Sequence, residues 1–132
     1  MALTADRTTP RRGGDLLERP AAASKKFYAG SLVAVDASGN ATPGATATDI
    51  LGVGRCREQV DNSSGAAGAV TVPIEKGVFR WTNSATDPVT AADIGKDCYI
   101  VDDFTVSHTD TNQSVAGKVF DVDSQGVWVD MR

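Results

Sequence analysis

From residue 27 onward the chain alternates short apolar runs with clusters of Gly, Pro, Asn, Asp and Ser. No apolar period of the helical kind is sustained, so the pattern is that of an all-β domain. It predicts strands at residues 30–35, 49–56, 69–74, 76–81, 97–101, 104–108, 114–122 and 126–131. Two of the breaks look like hairpin turns: Asp102-Asp103, and Asp123-Ser-Gln-Gly126. Gly52 and Gly54 suggest a bend or a close backbone approach within their strand, and Pro73 suggests an edge or a bulge. Within residues 76–81, alternation places Phe79 and Trp81 on one face and Val78 and Arg80 on the other. Residues 90–93 have room for one helical turn, ended by Gly95. About eight short strands and almost no helix predict a small barrel or sandwich.

Residues 1–26 differ in texture. They contain Pro10, Gly13, Gly14, Pro20 and the run Ala21-Ala22-Ala23-Ser24, and their apolar pattern extends no further than Leu16-Leu17. Such a segment has little to bury by itself. It is expected to be an extended arm, with residues 27–132 forming the body.

Charge sharpens this division. The net charge of −4 splits into +3 for residues 1–26 (six basic, three acidic) and −7 for residues 27–132 (seven basic, fourteen acidic). A basic arm on an acidic body fits an acidic protein surface better than nucleic acid, which would repel the body. No stretch approaches the ~20 apolar residues that span a bilayer, and the first residues lack the apolar core of a secretory signal. Synthesis in the cytoplasm without export is expected, with neither membrane nor nucleic acid as a partner. Cys56 and Cys98 then read as two free, half-buried thiols.

The chain is poor in catalytic chemistry. His108 is its one histidine, and no Gly-x-Ser-x-Gly elbow or phosphate-binding Gly-x4-Gly-Lys-Ser/Thr loop occurs. Asp121-Val-Asp-Ser-Gln-Gly126 opens like a calcium loop, but the place of the bidentate glutamate falls on Arg132. The segment reads as a turn. No enzyme activity, metal or cofactor is expected. Phe79-Arg80-Trp81 is the sole local mixture of rings and basic groups, and alternation separates Arg80 from both rings. Phe79 and Trp81 therefore read as packing residues, of the core or of a subunit interface, and are assigned here to the interface.

Several stretches carry a resemblance to a known family: Ala34-Val-Asp-Ala-Ser-Gly-Asn-Ala-Thr-Pro43, Asp49-Ile-Leu-Gly-Val-Gly54, Ile74-Glu-Lys-Gly-Val-Phe-Arg-Trp81 and the segment from Asp87 to Asp103. Val115-Ala-Gly-Lys-Val-Phe-Asp-Val122 and Gly126-Val-Trp-Val-Asp130 complete it. In order, these resemble the capsid cement proteins of tailed phages, a family whose members have often been mislabelled as RecA/RadA-type recombinases. The missing phosphate loop argues against that label. A looser likeness reaches the head decoration proteins of the phage lambda kind, from which this chain departs in its long segment after Trp81.

The resemblance implies a β-tulip-like barrel, usually a homotrimer although a dimer is possible, seated on the outer surface of the virion capsid. It implies a structural decoration protein that binds the major capsid protein and stabilises the head against internal DNA pressure. On that reading Arg7, Arg11, Arg12, Leu16, Leu17 and Arg19 are the capsid-binding residues of the arm. The alternative is a phage tail, fibre or capsid-surface module recognising host glycans, with Trp128 as a ring on which a sugar would stack.

Overall fold

Twelve strands and one 3-10 turn organise residues 2–132, the residues described by a computed structural model. The first seven strands are β1 (Leu16–Pro20), β2 (Lys25–Phe27), β3 (Leu32–Val35), β4 (Ala41–Pro43), β5 (Leu51–Cys56), β6 (Val60–Asn62) and β7 (Thr71–Glu75). The remainder are β8 (Val78–Asn83), β9 (Asp97–Ile100), β10 (Thr105–Ser107), β11 (Val115–Asp123) and β12 (Gly126–Asp130), with the 3-10 turn at Ala91–Asp93.

The N-terminal half is a five-stranded antiparallel sheet in the order β1-β7-β5-β3-β4. It curls until its two ends nearly meet. Just past β1, Ala21 forms a parallel bridge with Ala41 of β4, and the Ala22 N–H donates to the Ala41 carbonyl at 2.8 Å. Ala21 and Ala41 are fully buried; a methyl side chain on each side lets the backbones come this close. Inside the curl lie Phe27, Val33, Val53, Cys56, Val72 and Ile74, with Leu17, Val35 and Val60 packed against them. The two-stranded β2–β6 ribbon supplies Phe27 and Val60. Asn62, buried at the end of β6, donates from Nδ2 to the carbonyls of Ala22 (2.9 Å) and Ala66 (3.1 Å).

The C-terminal half is a closed five-stranded barrel in the order β10-β8-β12-β11-β9. A ring of five strands cannot alternate direction at every junction, so one neighbouring pair must be parallel; here it is β10 with β8. Trp81, Val89, Cys98, Ile100, Val106, Val119, Val127, Val129 and Met131 fill the barrel's core.

Strand β3 is the wall common to both halves. Its alternation sends Leu32 and Ala34 into the barrel's cluster and Val33 into the other. A strand buried on both faces reads as a continuous apolar run, and Leu-Val-Ala-Val does so. The halves also touch where Gly52 of β5 meets Ala116 of β11: a Cβ at Gly52 would strike the Ala116 carbonyl oxygen. The close approach expected of this glycine is its role.

The all-β class and the small closed barrel stand as expected. The barrel, however, begins at Val78, and the strands number twelve rather than about eight. The boundary placed at residue 26 is corrected to residue 15, because β1 pairs along its length with β7 and β2 pairs with β6. The charge division shrinks accordingly. Residues 1–15 carry three arginines and two aspartates (+1), leaving ten basic and fifteen acidic groups (−5) for the rest.

Pro73 lies in β7, between β1 and β5, and not at an edge. Its carbonyl accepts from the Arg57 N–H at 3.0 Å, just beyond the end of β5. In a strand the carbonyl and amide of one residue point the same way. The missing N–H therefore removes no bond to β1.

Candidate functional site

Residues 2–15 form no strand or helix and are exposed throughout. Arg7 donates from Nε to Thr9 Oγ1 at 3.2 Å, while Arg11 and Arg12 make no ion pair among the described residues. The segment joins the body where the Lys76 N–H donates to the Asp15 carbonyl at 2.8 Å.

The other three arm residues sit on β1 itself. Leu16 faces outward and is 48% exposed. Leu17 packs against the N-terminal cluster, and Arg19 donates from Nε to the Gly39 carbonyl at 2.9 Å. Leu17 and Arg19 are thus corrected from partner-binding residues to residues committed to their own subunit. The cause is the antiparallel pairing of β1, which turns alternate side chains inward.

Strand β1 keeps one side free. The Ala21 N–H bonds to Val70 and the Asp15 carbonyl accepts from Lys76, so odd-numbered residues point their backbone groups at β7. Leu16 and Glu18 then direct theirs away from the sheet. Beside this edge lies an open depression of about 550 Å³ lined by Arg12, Gly13, Asp15, Leu16, Leu17, Glu18 and Arg57.

A second surface lies at the mouth of the barrel. Trp81 is only 5% exposed and belongs to the barrel core, so its assignment to a subunit interface is corrected. Phe79 meets it edge-on, with ring centroids 6.2 Å apart, and remains partly open. The Arg55 guanidinium lies 4.9 Å from the Phe79 ring centre, and Arg80 lies 5.6 Å from that of Trp128. Such stacking holds a guanidinium in place without neutralising it.

Arg55 is also paired with Glu75. Arg80 has the neutral Gln125 Oε1 at 2.9 Å, and Asp123 is a nearby carboxylate. Asp123 is engaged elsewhere: its carboxylate accepts from Trp128 Nε1 and from the N–H groups of Gln125 and Gly126. Those bonds, led by the indole, hold it below the usual carboxylate range. The segment resembling a calcium loop is this turn.

His108 contacts Asp93, Nδ1 to Oδ2, at 3.0 Å. Asp93 is buried, and the Thr90 N–H donating to it leads the causes that push its pKa down, with His108 also contributing. Sequence reading missed this partnership, since fifteen residues separate the two; Thr90-x-x-Asp93, a helix-capping spacing, was the available signal. Cys56 and Cys98 are free and fully buried in different clusters. Burial pushes both thiols up, Cys98 to about 12. Among the described residues no three His, Cys, Asp or Glu side chains converge as a metal site, and no helix is long and apolar enough to cross a membrane. The sequence also gave no warning of Phe104 and Phe120, more than half exposed on the barrel. Phe120 falls at the bulge between Val119 and Asp121, which breaks the alternation that would have placed it.

Comparison with family models, with curated proteins and with solved structures finds no match to this chain.

Proposed function

We propose that the chain is a structural decoration protein of a phage capsid, anchored to the major capsid protein by a short N-terminal arm. The observation that carries this reading is the exposed segment of residues 2–15 running directly into the free edge of β1. The sequence resemblance of residues 34–130 to capsid cement proteins supports it. The arm lies extended along a capsid chain, where strand addition satisfies backbone amides whatever the side chains, and the outward groups of Leu16 and Glu18 continue that pairing on the body. Arg7, Arg11 and Arg12 set register against acidic groups more than they set affinity.

One arm binds weakly, because ordering a flexible segment costs about 1–2 kcal/mol per residue against its contacts. Three arms joined in a homotrimer make the later contacts intramolecular and raise avidity by roughly 10²–10⁴. Glycan recognition has less to rest on: Arg80 lies against the Trp128 ring, and the indole N–H is already bonded to Asp123. The test is co-sedimentation with expanded heads of the phage that carries this chain. The full chain should decorate them. A chain lacking residues 2–14 should stay folded and remain in the supernatant, and undiminished decoration by that truncation overturns the proposal.

A further inference from the structure

The barrel is closed over only part of β8. Its pairing with β10 covers Thr82 and Asn83, with the Thr82 and Ser84 N–H groups donating to Phe104 and Val106 at 2.9 Å. On the other side β8 pairs with β12 from Val78 to Trp81, and the Met131 N–H reaches the Gly77 carbonyl at 2.8 Å. Odd-numbered residues of β8 thus bond to β12, and even-numbered ones point at the β10 side. Beyond Thr82 that side is empty of strand, since the chain before β10 has turned away: the Asp103 carbonyl accepts from Leu32 of β3. The backbone N–H and carbonyl groups of Val78 and Arg80 therefore have no partner among the described residues.

This free half-edge borders an open groove of about 530 Å³ lined by Gly30, Arg55, Val78, Phe79, Arg80, Trp81 and Trp128. Its side chains are unlike the rest of a body that is net acidic. Two guanidiniums are held over rings, and Arg80 has a neutral hydrogen-bond partner. Trp81 Nε1, buried at the groove, has no hydrogen-bond partner.

We infer that this groove binds an extended acidic peptide segment of a partner protein, which adds as a strand to β8 beside Val78 and Arg80. Strand addition supplies the ladder bonds these two residues lack. In the added strand, a residue opposite Arg80 projects on the same face, its Cβ roughly 5 Å from that of Arg80. A carboxylate there draws the guanidinium, which rests over Trp128 on the β12 side, across into a charge-assisted pair. Its neighbours project to the other face, toward Phe79, where apolar side chains suit the ring. The expected ligand thus alternates acidic with apolar residues. The free backbone edge is what favours a peptide over a sugar or a nucleic acid, neither of which supplies a strand's alternating amides. This inference concerns a different surface from the arm and stands or falls apart from it.

Trp81 and Trp128 are the two tryptophans of the chain, and both line the groove, so intrinsic fluorescence reports on it. The full-length protein is titrated with a capped hexapeptide alternating glutamate and valine. The expected result is a saturable change that weakens with added salt. Three controls should each weaken binding by about tenfold or more, the factor that corresponds to ~1.4 kcal/mol. They are the same peptide with lysine for glutamate, the same peptide N-methylated at alternate amides, and the variant Arg80→Gln. Arg80 is exposed, so that variant should keep the wild-type circular dichroism spectrum. No saturable change, equal binding of the lysine or N-methylated peptide, unchanged binding by Arg80→Gln, or tighter binding of a thymidine decamer each overturns the inference.

Discussion

Both halves are built around five strands, one an open curled sheet and one a closed barrel, and joining the two ends of either requires one parallel junction. The C-terminal half makes it with β-sheet pairing between β8 and β10. The N-terminal half has only the bridge between Ala21 and Ala41 and the single bond from Ala22. Their cores differ in the same sense. The barrel is packed with Trp81, Ile100, Met131 and many valines, whereas the N-terminal cluster has Phe27 and Ile74 among smaller side chains. Each large buried side chain contributes roughly 1.5–3 kcal/mol, so the barrel is the stronger half. The contrast teaches that a curled sheet is held by its weakest junction, which here follows the end of β1 opposite to the arm.

The sharpest way to break this comparison is at the common wall. Leu32→Ala removes a fully buried side chain that β3 sends into the barrel, at a cost of about 2–5 kcal/mol. If the halves are one cooperative unit, denaturant unfolding followed by tryptophan fluorescence and by far-ultraviolet circular dichroism gives one coincident, shifted transition. Two separated transitions would make the halves independent.

A smaller effect should be confined to one half. Asn62→Ala strips the hydrogen bonds to the Ala22 and Ala66 carbonyls, costing about 1–3 kcal/mol where a buried group is left unpaired. Amide exchange should quicken in β1, β2 and β6 and stay unchanged in β11 and β12. Equal acceleration in both halves would refute the idea of a locally weak seam.

The smallest effect concerns the barrel side and acid. Asp93 has its pKa lowered from the ordinary 3.8, so its contribution is present above that value and lost as pH falls through the folded one. Asp93→Asn should lower stability at neutral pH by less than the Asn62 change and flatten the acid limb below about pH 4. An acid limb identical to wild type would remove Asp93 from the account.

Much of the C-terminal half was legible because its strands carry their own signals. Val, Ile, Phe and Trp alternate there between clear turns, and the hairpin at Asp123–Gly126 appears where it was placed, whereas the two-residue turn expected at Asp102-Asp103 is a longer connection, residues 101–104, between β9 and β10. The N-terminal half was harder to read for a physical reason. Leu16–Pro20, Ala41–Pro43 and Val60–Asn62 hold proline, glutamate, alanine and asparagine, residues of weak strand preference. They are strands because neighbours pair with them, and that information lies elsewhere in the chain. The arm boundary went wrong with them. At the candidate site, types were legible and placement was not: Phe79 and Trp81 share a face as expected, yet Arg55 arrives over Phe79 from another strand. Arg80 finds Trp128 across the β8–β12 pairing, which no local pattern encodes.

The way residues 2–15 enter the body has a mechanical side. They lead into β1 at Leu16, opposite Glu75, one end of a run of five paired positions. Tension transmitted in line with the strand would shear all five at once and meet high resistance. The same tension applied crosswise would peel them singly, starting at Leu16. The direction in which residues 2–15 are pulled therefore sets how β1 parts from β7.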